Sequence, residues 1–314
     1  MKIVVTGGAG FIGSNLVRAF RGVPRIDEIV ILDDLSTGSE ENLRDLDARF
    51  VHGSILDPAM LDDAFSDAAS VVHLAAVPSV PRSLRDPLRS HHANATGTLM
   101  VLEAARRNRV GQVILASSSS VYGRNPTLPK REDLRPVPLS PYAVSKLATE
   151  AYAIAYASCF DLAVLPFRFF NVFGPGQSAG HAYAAVVPSF VSAALDGRPL
   201  TIDGDGEQTR DFTFVGDVAA VIVDAVLRQV SSVDPVNLAF GSRTSVRRLV
   251  GELEDVLGRR LDVVHRPPRA GDVRDSQADN GALRALFPGV TRHTLRQGLE
   301  ATVAWMSTRV PAGR

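Results

Sequence analysis

Over its first 165 residues the chain alternates short apolar runs with amphipathic stretches. KIVVTG, EIVILDD, RFVHGS, SVVHLAA, QVILASS and LAVLPFRFF read as strands, and IGSNLVRAF, AMLDDAF and TGTLMVLEAARRN as helices. Runs that are apolar throughout mark strands buried on both faces, and strand–helix alternation gives a parallel sheet covered by helices. The predicted fold is therefore α/β, a doubly wound parallel sheet spanning 1–165. From about residue 166 Pro and Gly become frequent, as in NVFGPGQSAGHAY, IDGDGEQTRDF and HRPPRAGDVRD. That shift predicts a smaller, discontinuous α/β part made of 166–211 and 241–314, with 212–240 returning to the sheet. Ligands on such sheets bind beyond the carboxyl ends of the strands.

Composition narrows the picture a little. The 314 residues are 45% hydrophobic and 22% charged, with 34 basic and 34 acidic side chains. No net charge draws the chain to nucleic acid or a membrane surface, so an anionic ligand would need a local arginine cluster. The chain opens directly on a strand and a glycine turn, so a cytoplasmic location is expected. Cys159, the single cysteine, lies in an Ala-rich helical run and is expected to be a buried structural thiol. Only Lys2, Lys130 and Lys146 are lysines in a chain that otherwise uses arginine.

TGGAGFIG follows the first strand and opens the first helix, placing Gly7, Gly10 and Gly13 in a G-x-x-G-x-x-G spacing. Glycines here allow a tight turn and close approach of backbone to a pyrophosphate, which the helix N-terminus then faces. Asp33 ends the second strand, twenty residues beyond Gly13. An acid there accepts a ribose diol and repels a 2′-phosphate, which favours NAD over NADP. No metal is called for.

Further on, SPYAVSK sets Tyr142 and Lys146 one helical turn apart, on one face. A cation beside a phenol favours the phenolate and moves Tyr142 down from ~10 toward the range of a general base.

Taken in order, TGGAGFIG, DDLSTG, HLAA, SSSSVYG, SPYAVSK, RFFNVFGP and GDGEQTRDFTFVGDV resemble the extended short-chain dehydrogenase/reductases. The likeness is to their NAD-dependent nucleotide-sugar epimerase branch and covers nearly the whole chain. It implies a Rossmann-type fold, NAD as cofactor and a UDP-sugar as substrate. Ser118, Tyr142 and Lys146 are then the catalytic group. The cofactor set it implies is Gly7, Gly10, Phe11, Ile12, Gly13, Asp33, Asp34, Ser36, Thr37, Gly38, Ile55, Ala75, Ala76, Val77, Ser117, Lys146 and Phe169. Asp57 is expected near the adenine and Asn94 in the supporting hydrogen-bond network. Ser54 departs from the acid the family often carries there.

The serine run discriminates within that branch. The 4,6-dehydratases carry an Asp-Glu pair where this chain has Ser119 and Ser120, and the UDP-glucuronate decarboxylases a Glu at the position of Ser120. Eliminating water needs an acid and a base; two neutral hydroxyls leave hydride abstraction and return. The resemblance thus implies a 4-epimerase, with Val80, Arg82, Ser118, Ser119 and Ser120 toward the sugar. Asn171, Arg210 and Arg269 would hold the diphosphate, Asp272 the nucleotide ribose, and Val187, Thr201 and Ile202 the uracil. Paired phosphate oxygens suit the planar fork of arginine. UDP-glucuronate 4-epimerases tend to carry an arginine a few residues after FGP. Gly176 and Ser178 stand there instead, with the loop residue His181 as a possible substitute. Ser276 replaces a bulky Tyr common in glucose-restricted relatives and leaves room for a 2-acetamido group. The expected substrates are UDP-GlcNAc/UDP-GalNAc, UDP-Glc/UDP-Gal, or both. UDP-glucuronate is the alternative sugar, followed by a dehydratase, a 4-reductase, or a non-catalytic NAD-sensing module on the same fold.

Finally, residues 142–159 are small and apolar on more than one face, and the helix near 91–108 carries a broad Ala, Leu, Met and Val stripe. Both suggest a homodimer through two helices.

Overall fold

The structure, a computed structural model, describes residues 1–180, 184–268 and 274–309. Six strands match the six apolar runs: β1 (Lys2–Thr6), β2 (Glu28–Asp33), β3 (Arg49–His52), β4 (Ala68–His73), β5 (Gln112–Ser118) and β6 (Val164–Phe169). A seventh, Val236–Leu238, pairs with β6, setting Asn237 beside Arg168. All pairings are parallel, in the spatial order Val236–Leu238, β6, β5, β4, β1, β2, β3. The order reverses between β1 and β4, so a crevice opens beyond their carboxyl ends.

Side chains alternate between the two faces of this sheet, and each face meets its own helical layer. Ile3, Val5, Ile29 and Ile31 pack with Leu16 and Phe20 of α1 (Phe11–Phe20), and with Val218 and Ile222 of the helix Val215–Arg228. Val4, Val30 and Leu32 face the other way. There they join Leu61 of α2 (Pro58–Phe65), Leu102 of α5 (Gly97–Arg107) and Ala153 of α6 (Pro141–Phe160). Between β4 and α5 run two short helices, α3 (Val80–Arg85) and α4 (Pro87–His91), then one π-helical turn, His92–Thr96. Helix α5 follows (Gly97–Arg107), and α6 (Pro141–Phe160) comes after β5. Ser140 caps α6, its hydroxyl accepting from the Ala143 amide at 3.1 Å, and Pro141 occupies its first turn.

A third apolar cluster lies apart from the sheet. Phe173, Val187, Phe190, Leu200, Ile202, Leu249 and Leu299 form it, drawn from α7 (Val186–Leu195), the strand Leu200–Asp203, and two later helices, Val246–Leu257 and Leu295–Ser307. Among the described residues no helix is long and apolar enough to cross a membrane.

Candidate active site

A cavity of 1340 Å³ occupies the crevice. At one end the glycine turn is shaped by close approach. Gly7 sits at φ +74, and a Cβ on it would lie 2.6 Å from the Ala75 amide nitrogen. One on Gly13 would lie 2.3 Å from the Gly7 carbonyl oxygen, so helix and strand meet here without side chains. Gly10 stands at the start of α1 and contributes no side-chain cap. The first-turn amides are thus left for an anion. Asp33 is buried; its two oxygens accept from the Ala9 and Leu35 amides at 2.9 and 2.8 Å. Burial raises its pKa, against the two amides. Each oxygen keeps a second lone pair for a hydroxyl donor. Asp34 accepts from the Ser36 amide at 2.9 Å and shapes the loop that carries Thr37 and Gly38. These residues, with Phe11, Ile12, Ile55, Ala75, Ala76, Val77 and Phe169, line the cavity. A ribose acceptor, an uncapped helix start and a wall without side chains fit a dinucleotide.

The serine run ends the sheet at the other end of the cavity. Ser118 terminates β5, and its hydroxyl accepts from the Ser120 amide at 3.2 Å, capping the 3₁₀ turn Ser119–Tyr122. The Ser120 hydroxyl is buried without a partner among the described residues. Ser118, Ser119, Ser120, Tyr142 and Lys146 all line the cavity. Lys146 is buried and donates to the Ala116 carbonyl at 2.8 Å, and burial pushes its pKa down to about 8. Burial pushes Tyr142 up, offset in part by a hydrogen bond with Ser118. The expectation was that Lys146 brings the phenol down; here burial raises it, and the opposing effect is the Ser118 hydrogen bond.

Behind the pair lies a buried brace. Glu150, one turn beyond Lys146, receives Arg168 of β6 through Nε at 2.9 Å and Nη2 at 2.5 Å. It also accepts from the Ser117 hydroxyl at 3.0 Å. Ser117 lines the cavity, but this hydroxyl is turned to the brace. Asn94, in the π turn, accepts from the Val77 amide at 2.7 Å and donates to Ser145 at 3.0 Å, tying α6 to the loop after β4. His73 bridges Thr6 and Thr98 at 2.8 and 3.1 Å and is held neutral, its pKa lowered to about 3 by burial and by the charge of Lys146.

Val80, Arg82, Asn171, Arg210 and Ser276 also line the cavity. Arg210 donates to the Thr209 and Arg274 carbonyls at 2.8 and 3.0 Å. Other expectations fall elsewhere. Asp57 does not line it; its carboxylate caps α2, accepting from Ala59 and Met60 at 2.9 and 3.4 Å. Val187 and Ile202 are buried in the third apolar cluster, where α7 packs on its neighbouring strand, and Thr201 is exposed. Arg269, Asp272 and His181 lie outside the described residues. Cys159 is exposed, not buried, because it falls in the outward-facing last turn of α6, where 158–160 are all exposed. Gln177, Trp305, Met306 and Arg309 line the cavity without having been anticipated. Gln177 alone had a local cue, its place just after FGP. No group of metal-ligating side chains occurs among the described residues.

The family model described as the NAD dependent epimerase/dehydratase family matches residues 3–239. A UDP-glucose 4-epimerase of Mycolicibacterium smegmatis is 37% identical over 318 residues, covering 98% of this chain and 99% of the relative. Among solved structures, UDP-N-acetylglucosamine 4-epimerase of Methanobrevibacter ruminantium, in complex with UDP-N-acetylmuramic acid, matches with a TM-score of 0.93 at 36% identity. That match covers 98% of this chain and 99% of the other. UDP-glucuronic acid 4-epimerase of Bacillus cereus, bound to UDP-glucuronic acid and NAD, matches with a TM-score of 0.89 at 30% identity, covering 98% and 100%. The chain belongs to the NAD-dependent epimerase/dehydratase family. Within it the chain is an enzyme of the epimerase kind, and its cofactor is NAD.

Proposed function

We propose that the protein inverts C4 of a neutral UDP-hexose, taking UDP-GlcNAc/UDP-GalNAc, UDP-Glc/UDP-Gal, or both. The observation that carries this reading is the end of β5, where Ser119 and Ser120 supply hydroxyls and no carboxylate beside Tyr142. The acids lining the cavity among the described residues are Asp33, Asp34 and Glu41 on the cofactor loops, and Asp275. Asp275 accepts from Thr209 and pairs with Arg243 at 3.3 Å, which holds its carboxyl below the usual range. It is a poor acid for a leaving hydroxyl.

In this mechanism Tyr142 takes the proton of the sugar 4-hydroxyl and later returns it. Ser118, already bonded to Tyr142, shares that hydroxyl and orients it. Lys146 in its charged form stabilises the phenolate, and the Ala116 carbonyl and the brace beneath keep it in place. NAD, when bound, would supply the acceptor and donor of the C4 hydride, the 4-keto sugar turning between the two transfers so that its opposite face is reduced. Gly7, Gly10, Gly13 and Asp33 would hold it.

Two features favour a neutral sugar. Gly176 sits at φ +88, a conformation that resists an arginine there, and Ser178 adds no charge. Ser276 leaves room for an acetamido group. A sugar carboxylate would then have only Arg82 among the sugar-facing residues to meet it, and a carboxylate left unpaired in a pocket is costly. Asn171 and Arg210 stand where the diphosphate would be clamped.

Proton NMR of the protein, incubated separately with UDP-GlcNAc, UDP-Glc and UDP-glucuronate, tests the reading. New galacto-configured anomeric signals from the first two are expected. Conversion of the glucuronate alone overturns the sugar assignment, and a stable 4-keto product overturns inversion.

We also propose a homodimer. Val144, Tyr152 and Phe160 of α6 are 52%, 38% and 50% exposed, beside Leu88 of α4 at 71%. The apolar stripe of α5, however, is spent on the chain's own core. A second copy would meet α4 and α6, not α5, and sedimentation reads its mass.

A further inference from the structure

The helix Leu295–Ser307 packs through Leu299 into the third apolar cluster, far from the glycine turn in sequence. Met306 of its last turn still packs against that cluster, while Trp305 beside it is not among the cluster's residues. Trp305, Met306 and Arg309 line the same cavity as Gly10, Phe11 and the loop Ser36–Ser39. The Arg309 guanidinium lies over the Trp305 ring, 4.4 Å from its centroid. Stacking of this kind holds a guanidinium in one orientation while its edge stays free to bond.

Arg309 also reaches across to the segment after β2. Its Nη1 is 3.9 Å from Glu41 Oε1, and Arg44 Nη1 is 3.9 Å from the same oxygen. One carboxylate therefore serves two guanidiniums at the limit of pairing distance, an arrangement worth little by itself. This segment is fixed to the glycine turn, since the Ser39 amide and Asn42 Nδ2 both donate to the Ala9 carbonyl, at 3.1 and 2.9 Å. Arg18 of α1 donates to the Asn42 carbonyl at 2.9 Å and adds a third cation nearby. Burial lowers its pKa, and the charge of Arg309 lowers it further, so the two cations feel each other. Guanidiniums beside uncapped helix amides and an aromatic wall suit an anion, even with Glu41 and Asp45 close by.

We propose that Arg309 and Trp305 form a clasp on the bound dinucleotide, Arg309 pairing with a diphosphate oxygen and Trp305 covering it. The clasp ties the C-terminal helix to cofactor retention rather than to the sugar. It rests on NAD occupying this cavity, and a wild-type protein that takes up no NAD would sink that premise separately.

Three variants and one optical signal test it. After NAD loading and exhaustive dialysis, Arg309→Ala should lose bound nucleotide about tenfold faster than wild type, the effect of one charged hydrogen bond. Glu41→Gln should retain it as well or better, because the competing carboxylate is gone. Trp305→Phe, which keeps an aromatic wall, should lose it less than Arg309→Ala does. Trp305 is the chain's single tryptophan, so its emission reports this site alone. NADH should quench that emission in the unmodified protein and gain nicotinamide fluorescence by energy transfer. Retention by Arg309→Ala equal to wild type overturns the proposal. So does equal loss in Arg309→Ala and Glu41→Gln, which would mean a mere tie between helix and loop. Trp305 emission indifferent to NADH overturns it in the protein as it stands.

Discussion

The two walls of the cavity are built differently. The wall that carries Gly7, Gly10, Asp33, Ser118, Tyr142 and Lys146 stands on the ends of β1, β2 and β5 and on the first turns of α1 and α6. The opposite wall, with Asn171, Gln177, Arg210, Ser276, Trp305 and Arg309, is gathered from loops, two-residue strands and a helix end. The first has its groups fixed by a buried sheet and a buried ion pair. The second has them fixed by contacts between segments tens to hundreds of residues apart. By the proposals above, the hydride chemistry and the main hold on NAD would fall to the first wall, and the choice among sugars and the Arg309–Trp305 clasp to the second.

Removing the phenol should produce the largest effect. Tyr142→Phe is expected to cut kcat by roughly 10²–10⁴, the range for a lost general base, with NAD retained. A variant of near wild-type rate would move the base to another residue.

Next comes the brace under the catalytic helix. Glu150→Gln leaves the Arg168 guanidinium buried with half its partner, and should cost about 3–5 kcal/mol in urea unfolding. A loss under 1 kcal/mol would show that the first wall is not held by this pair.

The charge on Lys146 gives a pH test. The productive form pairs a tyrosinate with a lysinium. With Lys146 at about 8 and Tyr142 raised above 10, one proton too many is bound below pH 8. kcat should therefore rise with pH up to about 8 and then level. Lys146→Met should move that limb above 10, to the phenol's own raised value, because no cation remains to share the proton. An unmoved limb would assign it to another group.

A smaller effect is expected at the glycine turn. Gly7→Ala places a Cβ against Ala75 at φ +74 and should cost about 1–3 kcal/mol, together with NAD content. Scanning calorimetry and nucleotide release check both.

How much of this could be read from the residues follows the same division. The sheet was legible because β1 to β6 are unbroken apolar runs, and the first wall because its groups sit in short motifs at fixed spacing. Asp57, expected near the adenine, caps α2, a role its place before Pro58 also allowed. Val187 and Ile202, placed beside the uracil by resemblance, are buried in the third apolar cluster, a packing that sequence spacing does not show. The upward push of burial on Tyr142 had no local sign, because the spacing to Lys146 is read from the sequence while burial is set by the whole fold. Arg309 had no local cue at all, since its partner Glu41 lies on the other side of the chain.

The most direct measurement follows the hydrogen at C4. The protein, with no added oxidant or reductant, would be given UDP-GlcNAc or UDP-Glc deuterated at C4 and the product examined by NMR. The account predicts a galacto-configured product that keeps its deuterium at C4, because hydride leaves and returns within one site lacking an elimination acid. A 4-keto-6-deoxy product, or an epimer whose C4 label has been lost to solvent, would contradict it.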